Sequence, residues 1–169
     1  MDTMTPEERS ILMGKIRGKN TKPELLVRSM LHRCGYRYSL HNKALPGKPD
    51  IVLRKHKTVV FVHGCFWHRH PDCKVASMPK SNTAFWQDKF ERNVANDKKH
   101  RRALETLGWK VIVVWACELK DPEKVLRRLL KELTAERADE KFRYPPAEET
   151  LLIAAEAKAK YITQRKKRR

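Results

Sequence analysis

The chain predicts an α/β fold in which a mixed sheet is covered by helices, and three observations carry that prediction. Asp50-Ile-Val-Leu53, Thr58-Val-Val-Phe-Val62 and Lys110-Val-Ile-Val-Val-Trp115 are short apolar runs of strand length, rich in β-branched residues. Helix start and stop signals surround them. The resulting order, α-β-β-β-α-β-α, suits one layered domain, and 169 residues are enough to bury its core.

Each element has its own justification. Thr5-Pro-Glu-Glu8 opens a short helix to about Ile16, with a cap, a first-turn proline and acids at the positive helix end. Gly14 and Gly18 leave Arg17-Gly-Lys-Asn20 flexible and basic. Thr21-Lys-Pro-Glu24 is a capping-box pattern for a second helix that ends near Cys34-Gly35. Tyr36 to Leu40 alternates like an edge strand, and Leu45-Pro-Gly-Lys-Pro49 is a rigid turn. The runs from Asp50 and Thr58 pair through Arg54 to Lys57. Thr83 caps a long helix that Gly108 stops after Leu107. Lys110 to Trp115, apolar on both faces, is expected as a central strand parallel to a neighbour. Asp121-Pro-Glu123 begins a helix through Leu133.

Beyond Ala135 the composition changes. Tyr144-Pro-Pro146 breaks the chain, Ala147 to Tyr161 has helical character, and Arg165-Lys-Lys-Arg-Arg169 ends it. The expectation is a loosely attached basic tail that adds phosphate affinity, or a solvated one without a role. The chain so divides into an N-terminal helix and arm (1–20), a main domain (21–135) and a tail (136–169).

Composition narrows the partners. Lys and Arg number 38 against 20 Asp and Glu, a net charge of +18 that suits a polyanion such as nucleic acid. With 40% hydrophobic and 34% charged residues the chain is neither disordered overall nor embedded in a membrane. No apolar run approaches the roughly 18 residues of a membrane span, and the start lacks the pattern of a signal peptide. The expected location is the cytoplasm, where Cys34, Cys65, Cys73 and Cys117 are thiols. Cys34 reads as a small buried residue.

Three constellations carry chemistry. Cys65, His70 and Cys73 form C-x4-H-x2-C directly after an apolar strand, and Cys117 follows the fourth strand. Three sulfurs and one imidazole suit structural zinc. Parallel pairing of the two strands would bring Cys117 to the loop; three separately buried cysteines are the alternative. The second group is hydrolytic. Asp50 begins one strand and His63 ends the next, and Asp50 suits Mg2+, which prefers hard oxygen ligands. Glu24 shares the inward helix face of Val27 and Leu31, where a carboxylate must be capping, paired or near a metal. His68 lies among the zinc ligands but outside their simplest pattern, free to take a proton. Asp97 shares a face of the long helix with Phe90 and Asn93, with a plain salt bridge as its alternative. The third group is aromatic: Phe66 and Trp67 at the loop tip and Trp86 at the head of the long helix could enter a base stack. Core packing competes for each ring.

From about Met13 to Leu130 the chain resembles the very-short-patch repair (Vsr) mismatch endonucleases of bacteria. The resemblance rests on Arg17-Gly-Lys-Asn-Thr-Lys-Pro-Glu24, Leu45-Pro-Gly-Lys-Pro-Asp50 and Phe61-Val-His-Gly-Cys-Phe-Trp-His68. Phe85-Trp86, Asn93-Val94 with Asp97, and Leu107-Gly-Trp109 through Trp115 and Cys117 follow in matching order. It implies a restriction-endonuclease-like fold with a structural zinc. The implied reaction is a Mg2+-dependent nick on the 5′ side of a thymine mispaired with guanine, a lesion left by deamination of 5-methylcytosine. The implied companions are duplex DNA containing a T·G mismatch, a cytosine methyltransferase and other mismatch-repair proteins. Action would be by a monomer in the nucleoid of a bacterial cytoplasm.

Carried to matching positions, Asp50 binds the metal with the Val62 backbone carbonyl, and His68 is the general base. Glu24, His63 and Asp97 orient waters or support the metal site. Cys65, His70, Cys73 and Cys117 match the zinc ligands, and Phe66, Trp67 and Trp86 match the intercalating wedge. The arm with Met13, Arg17 and Lys19 reaches the opposite groove. Pro71-Asp72 and the tail after Ala135 depart from the family pattern. The acidic and lysine positions usual on the second strand of the wider nuclease superfamily are absent too; Val62 and His63 stand there. Two rivals remain: a nuclease of different mismatch or sequence specificity, and a non-catalytic zinc DNA-binding module.

Overall fold

The computed structural model describes residues 5, 11, 14, 18–134 and 147–166. Most of the helix expected from Thr5 to Ile16 lies outside them, as do Met13, Arg17, the Tyr144-Pro-Pro146 break and residues 167–169.

Helix α1 (Lys22–Arg33) begins at the expected capping box: the Thr21 hydroxyl accepts from Glu24 N–H, and the Glu24 carboxylate accepts from Thr21 N–H. Pro23 sits in the first turn, where its missing donor costs nothing. Strands β1 (Ser39–Leu40), β2 (Ile51–Leu53) and β3 (Thr58–His63) are antiparallel neighbours. The edge strand is shorter than expected. Tyr36 is buried in the core, and the Tyr38 hydroxyl donates to the Arg28 carbonyl, so these side chains bind the segment to α1 rather than to a ladder.

Helix α2 (Thr83–Thr106) leads to β4 (Lys110–Trp115), which runs parallel to β3. Asn82, not Thr83, occupies the N-cap, in a left-handed conformation with no side-chain cap bond. The sheet order β1-β2-β3-β4 puts β4 at an edge, which corrects the expectation of a central strand. Its two-sided apolar pattern arises from cover on both faces, and side chains close its outer rim. Arg128 donates to the Val113 carbonyl, Arg101 to the Val111 carbonyl, and the Glu118 carboxylate accepts from Trp115 N–H. An edge so occupied offers little to a foreign strand.

The period-two alternation of the strands divides the core. Ile51, Leu53, Val60, Val62, Ile112 and Val114 pack on α1 and on α3 (Pro122–Thr134). Val52, Val59 and Val111 face the other way and meet Leu104 of α2. The tail expected to hang loosely is helix α4 (Ala147–Lys166), which packs against α1 and α3. It buries Thr150, Ile153, Ala154 and Ala157, and Glu156 pairs with Arg33 at 2.7 Å.

Candidate active site

Parity along the strands sets the site. Asp50 shares the face of Val52, and His63 shares that of Val59, because side chains two apart point the same way. Val52 and Val59 are register partners, so Asp50 and His63 emerge together on the α2 face of the sheet. That face opens into a cleft of about 860 Å3, lined among others by Glu24, His41, Asp50, His63, His68 and Asp97. Lys19, Lys48, Arg69, Lys98 and Arg101 also reach it, giving it a cationic wall. Gly47 closes one side: its φ is +72°, and an added Cβ would lie 3.0 Å from His100, so glycine meets both demands of the Leu45–Pro49 turn.

At one end of the cleft, Asp50 accepts from Val62 N–H at 2.8 Å. Burial first, then the nearby Glu24 charge, raises its pKa to about 6 against the Val62 hydrogen bond. Glu24 is buried and carries four protein donors. Asn20 N–H (2.9 Å) and Arg28 (2.7 Å) reach one oxygen, and Thr21 N–H (3.3 Å) and the Thr21 hydroxyl (2.8 Å) reach the other. His41 lies between the acids, 3.8 Å from each. Burial and the Arg28 charge hold its pKa below the ordinary value.

At the other end, His68 and Asp97 meet through Nδ1 and Oδ2 at 2.7 Å. His63 stacks on His68 with ring centroids 3.8 Å apart. Burial, with His68 as the next cause, depresses the His63 pKa to about 4 and keeps its ring neutral. Both residues of the His68–Asp97 pair are part-exposed to the cleft, as proton transfer requires.

The thiol cluster forms as the parallel pairing demands. The β3–β4 ladder continues through Ala116 N–H to the His63 carbonyl, which sets Cys117 beside the loop. One ligand atom from each of Cys65, His70, Cys73 and Cys117 lies within 4.8 Å of all the others. The Cys117 sulfur is 3.2 Å from His70 Nδ1, and the His70 ring stacks on Trp115. Burial, then the Cys65 and Cys73 sulfurs, pushes the Cys117 thiol up to about 12, a mutual opposition that a bound divalent cation would relieve. This set can hold a metal.

Phe66 and Trp67 are part-exposed and lie edge to face, and Asn93 of α2 donates to the Trp67 carbonyl at 2.9 Å. Trp86, expected in the wedge with core packing as the alternative, is 8% exposed and contacts Phe66, Phe85 and the still more buried Phe90, so it belongs to the inner part of the aromatic cluster. Phe85, 48% exposed, takes the outward position in that first helical turn. Sequence reasoning missed Phe85, Arg28 and His41 as site residues. Arg28 carried a signal, four residues after Glu24 on one helix face, and Phe85 stood in the Phe85-Trp86 pair of the resemblance. Lys19 lines the cleft as expected, whereas Met13 and Arg17 lie outside the described residues.

Carboxylates and imidazoles that converge in a cationic cleft define a hydrolase that works on a polyanion. Comparison with known proteins makes that class specific. Residues 1–75 match the family model of the DNA mismatch endonuclease Vsr. The chain is 52% identical over 120 residues to the type II nicking enzyme V.XorIIP of Xanthomonas oryzae pv. oryzae, covering 71% of this chain and 88% of that one. It is 50% identical over 135 residues to the type II nicking enzyme V.NmeAIP of Neisseria meningitidis, covering 78% and 96%. With the DNA mismatch endonuclease Vsr of Escherichia coli (strain K12) it shares 37% identity over 124 residues, 73% and 79% of the two chains. The chain belongs to the Vsr family of DNA mismatch endonucleases, and its fold is restriction-endonuclease-like.

Proposed function

We propose that this endonuclease nicks one strand of duplex DNA on the 5′ side of the thymine in a T·G mismatch, using Mg2+ at Asp50 and a structural Zn2+ at the thiol cluster. The observation that carries this reading is the pairing of Asp50 with the His68–Asp97 dyad across one cationic cleft. Asp50 keeps one oxygen free of backbone donors, in keeping with a hard-cation ligand, and the Val62 carbonyl is assigned as its partner. When bound, Mg2+ supplies Lewis-acid stabilisation of charge at the phosphate. His68 Nε2 takes the proton of the attacking water, and Asp97 holds the other ring nitrogen and supports the positive ring. His63, neutral and stacked on His68, sets the ring plane and, with Glu24, supports the metal end. The three sulfurs and one nitrogen fit tetrahedral zinc, which would fix the loop that bears His68 and the wedge.

Phe66 and Trp67, with Phe85 beside them, are suited to part the mispair, while Trp86 braces them from below. Weak pairing at T·G lowers the unstacking cost of a few kcal/mol and so serves as selection. Residues 1–20, with Met13, Arg17 and Lys19, act as a DNA arm, residues 21–135 as the nuclease proper, and the basic end of 136–169 adds phosphate affinity. The protein acts as a monomer in a bacterial cytoplasm, on the nucleoid, beside a cytosine methyltransferase and mismatch-repair proteins. Among the described residues no helix is long and apolar enough to cross a membrane.

A nicking panel tests the reading: T·G, the other mismatches and matched duplexes, with and without Mg2+. Mg2+-dependent cleavage confined to one strand of T·G is expected. Equal cutting of matched DNA, or binding without cutting, would favour one of the rivals.

A further inference from the structure

Glu24, His41 and Asp50 together offer three ligand atoms within 4.8 Å of one another, the outline of a two-carboxylate, one-histidine metal site. The hydrogen bonds around them contradict that outline. An arginine is a donor and never an acceptor, since its guanidinium stays protonated in proteins. One terminal nitrogen of Arg28 lies 2.8 Å from His41 Nε2 and its Glu24 contact is 2.7 Å, while the other terminal nitrogen donates to the Asn20 side chain at 2.6 Å. His41 Nε2 must therefore be an acceptor. The ring proton of neutral His41 is then on Nδ1, the nitrogen that faces Asp50 Oδ1 across 3.8 Å. A nitrogen bearing that proton cannot ligate a cation. Glu24 is closed too, because its four donors use the acceptor directions of both oxygens.

We propose that His41, locked by Arg28 as the Nδ1–H tautomer, is a positioning residue that turns its ring N–H, and not a lone pair, towards the free oxygen of Asp50. It is not a metal ligand. Asp50 is then bonded by Val62 N–H on Oδ2, and His41 Nδ1–H faces Oδ1 from 3.8 Å, beyond hydrogen-bonding distance. The 3.8 Å gap leaves Oδ1 room to meet a cation. Arg28 acts through His41 and also offsets the buried Glu24 charge. The left-handed backbone of His41 (φ 46°), rare for a residue with a Cβ, turns the ring inward. The inference rests on the assignment of Asp50 as the metal-binding acid, and its first test does not depend on cleavage.

Long-range proton–nitrogen NMR of the 15N-labelled full chain, with no added Mg2+ and at pH 7.5, reads the tautomer of each histidine. The His41 signals are identified by their loss in His41→Gln. His41 is expected as the neutral Nδ1–H form, and Arg28→Met is expected to release it towards the Nε2–H form. An Nε2–H or doubly protonated His41 in the wild type would overturn the inference, as would an unchanged tautomer in a folded Arg28→Met protein. The wild-type spectrum decides the matter even where Arg28→Met does not fold.

Cleavage supplies the second arm. Asn places its amide nitrogen near the position of Nδ1, whereas Gln reaches towards Nε2. His41→Asn should retain kcat within about twofold. His41→Gln and His41→Leu should lose about 10- to 100-fold in kcat at unchanged KM for DNA, the range seen for partners of metal ligands. An Asn variant as impaired as the Leu variant, with both folded, would overturn the positioning role. Absence of any wild-type cleavage would instead count against the Mg2+-dependent reaction, and the tautomer result would stand apart from it.

Discussion

Asp50 is held in an uncomfortable state: buried and close to Glu24, its carboxyl ionises only at about pH 6 rather than 3.8. In the unfolded chain it ionises first as pH rises, so the folded state loses stability between about pH 4 and 6 and carries the full penalty above. The penalty is on the order of 3 kcal/mol. Asp50→Asn keeps an acceptor for Val62 N–H and removes the charge. It should melt higher than the wild type above pH 6 without added divalent metal, and the advantage should vanish near pH 4. Thermal melts across that range check this; an Asn variant that is no more stable at pH 7.5 would contradict it. Asp50 and His63 were legible in the sequence because they stand at the ends of strands whose alternation fixes direction. His41 was not, since it follows a two-residue strand in a turn where no periodicity applies. The burial of Trp86 was not legible, because adjacent aromatics at a helix start do not reveal which of them turns inward.

At the scale of the element, the loop from Gly64 to Cys73 packs Phe66 on Trp86 and Phe90 and includes left-handed residues at Arg69 and Asp72. Its shape depends on the thiol cluster and on the Asn93 bond to Trp67. Stripping a metal bound at that cluster should forfeit on the order of 10 kcal/mol of folding free energy, loosen His68 and the aromatic tip, and abolish both nicking and mismatch binding. Withholding Mg2+ should stop nicking reversibly and leave binding largely intact. Near-UV circular dichroism and a DNA binding titration separate the two cases. An unchanged near-UV spectrum with full activity after removal of the thiol-bound metal would contradict the staple. The cluster was legible because ligand type and spacing are local, and Cys117 followed from parallel pairing. The edge position of β4 was not, because burial on both faces by helices looks the same in sequence as burial in mid-sheet.

Across the whole molecule, helix α4 makes the C-terminal segment part of the core rather than an appendage. Its buried stripe is Thr150, Ile153, Ala154 and Ala157, mostly small residues with little apolar contrast, which is why the sequence read as a tail. Ile153→Ala should cost about 2–4 kcal/mol in chemical denaturation, as for other buried large-to-small changes. A cost below about 0.5 kcal/mol would mean that α4 does not stay docked. The sheet, meanwhile, brings Asp50 to one side of the cleft while α2 and the Gly64–Cys73 loop bring Asp97 and His68 to the other, and the cationic wall suits a polyanion between them. That convergence is the centre of the account, and Asp50→Ala tests it most directly. On a T·G duplex with Mg2+, nicking should fall to background while mismatch affinity stays within a few-fold of the wild type. Nicking at an undiminished rate by this variant would contradict the account.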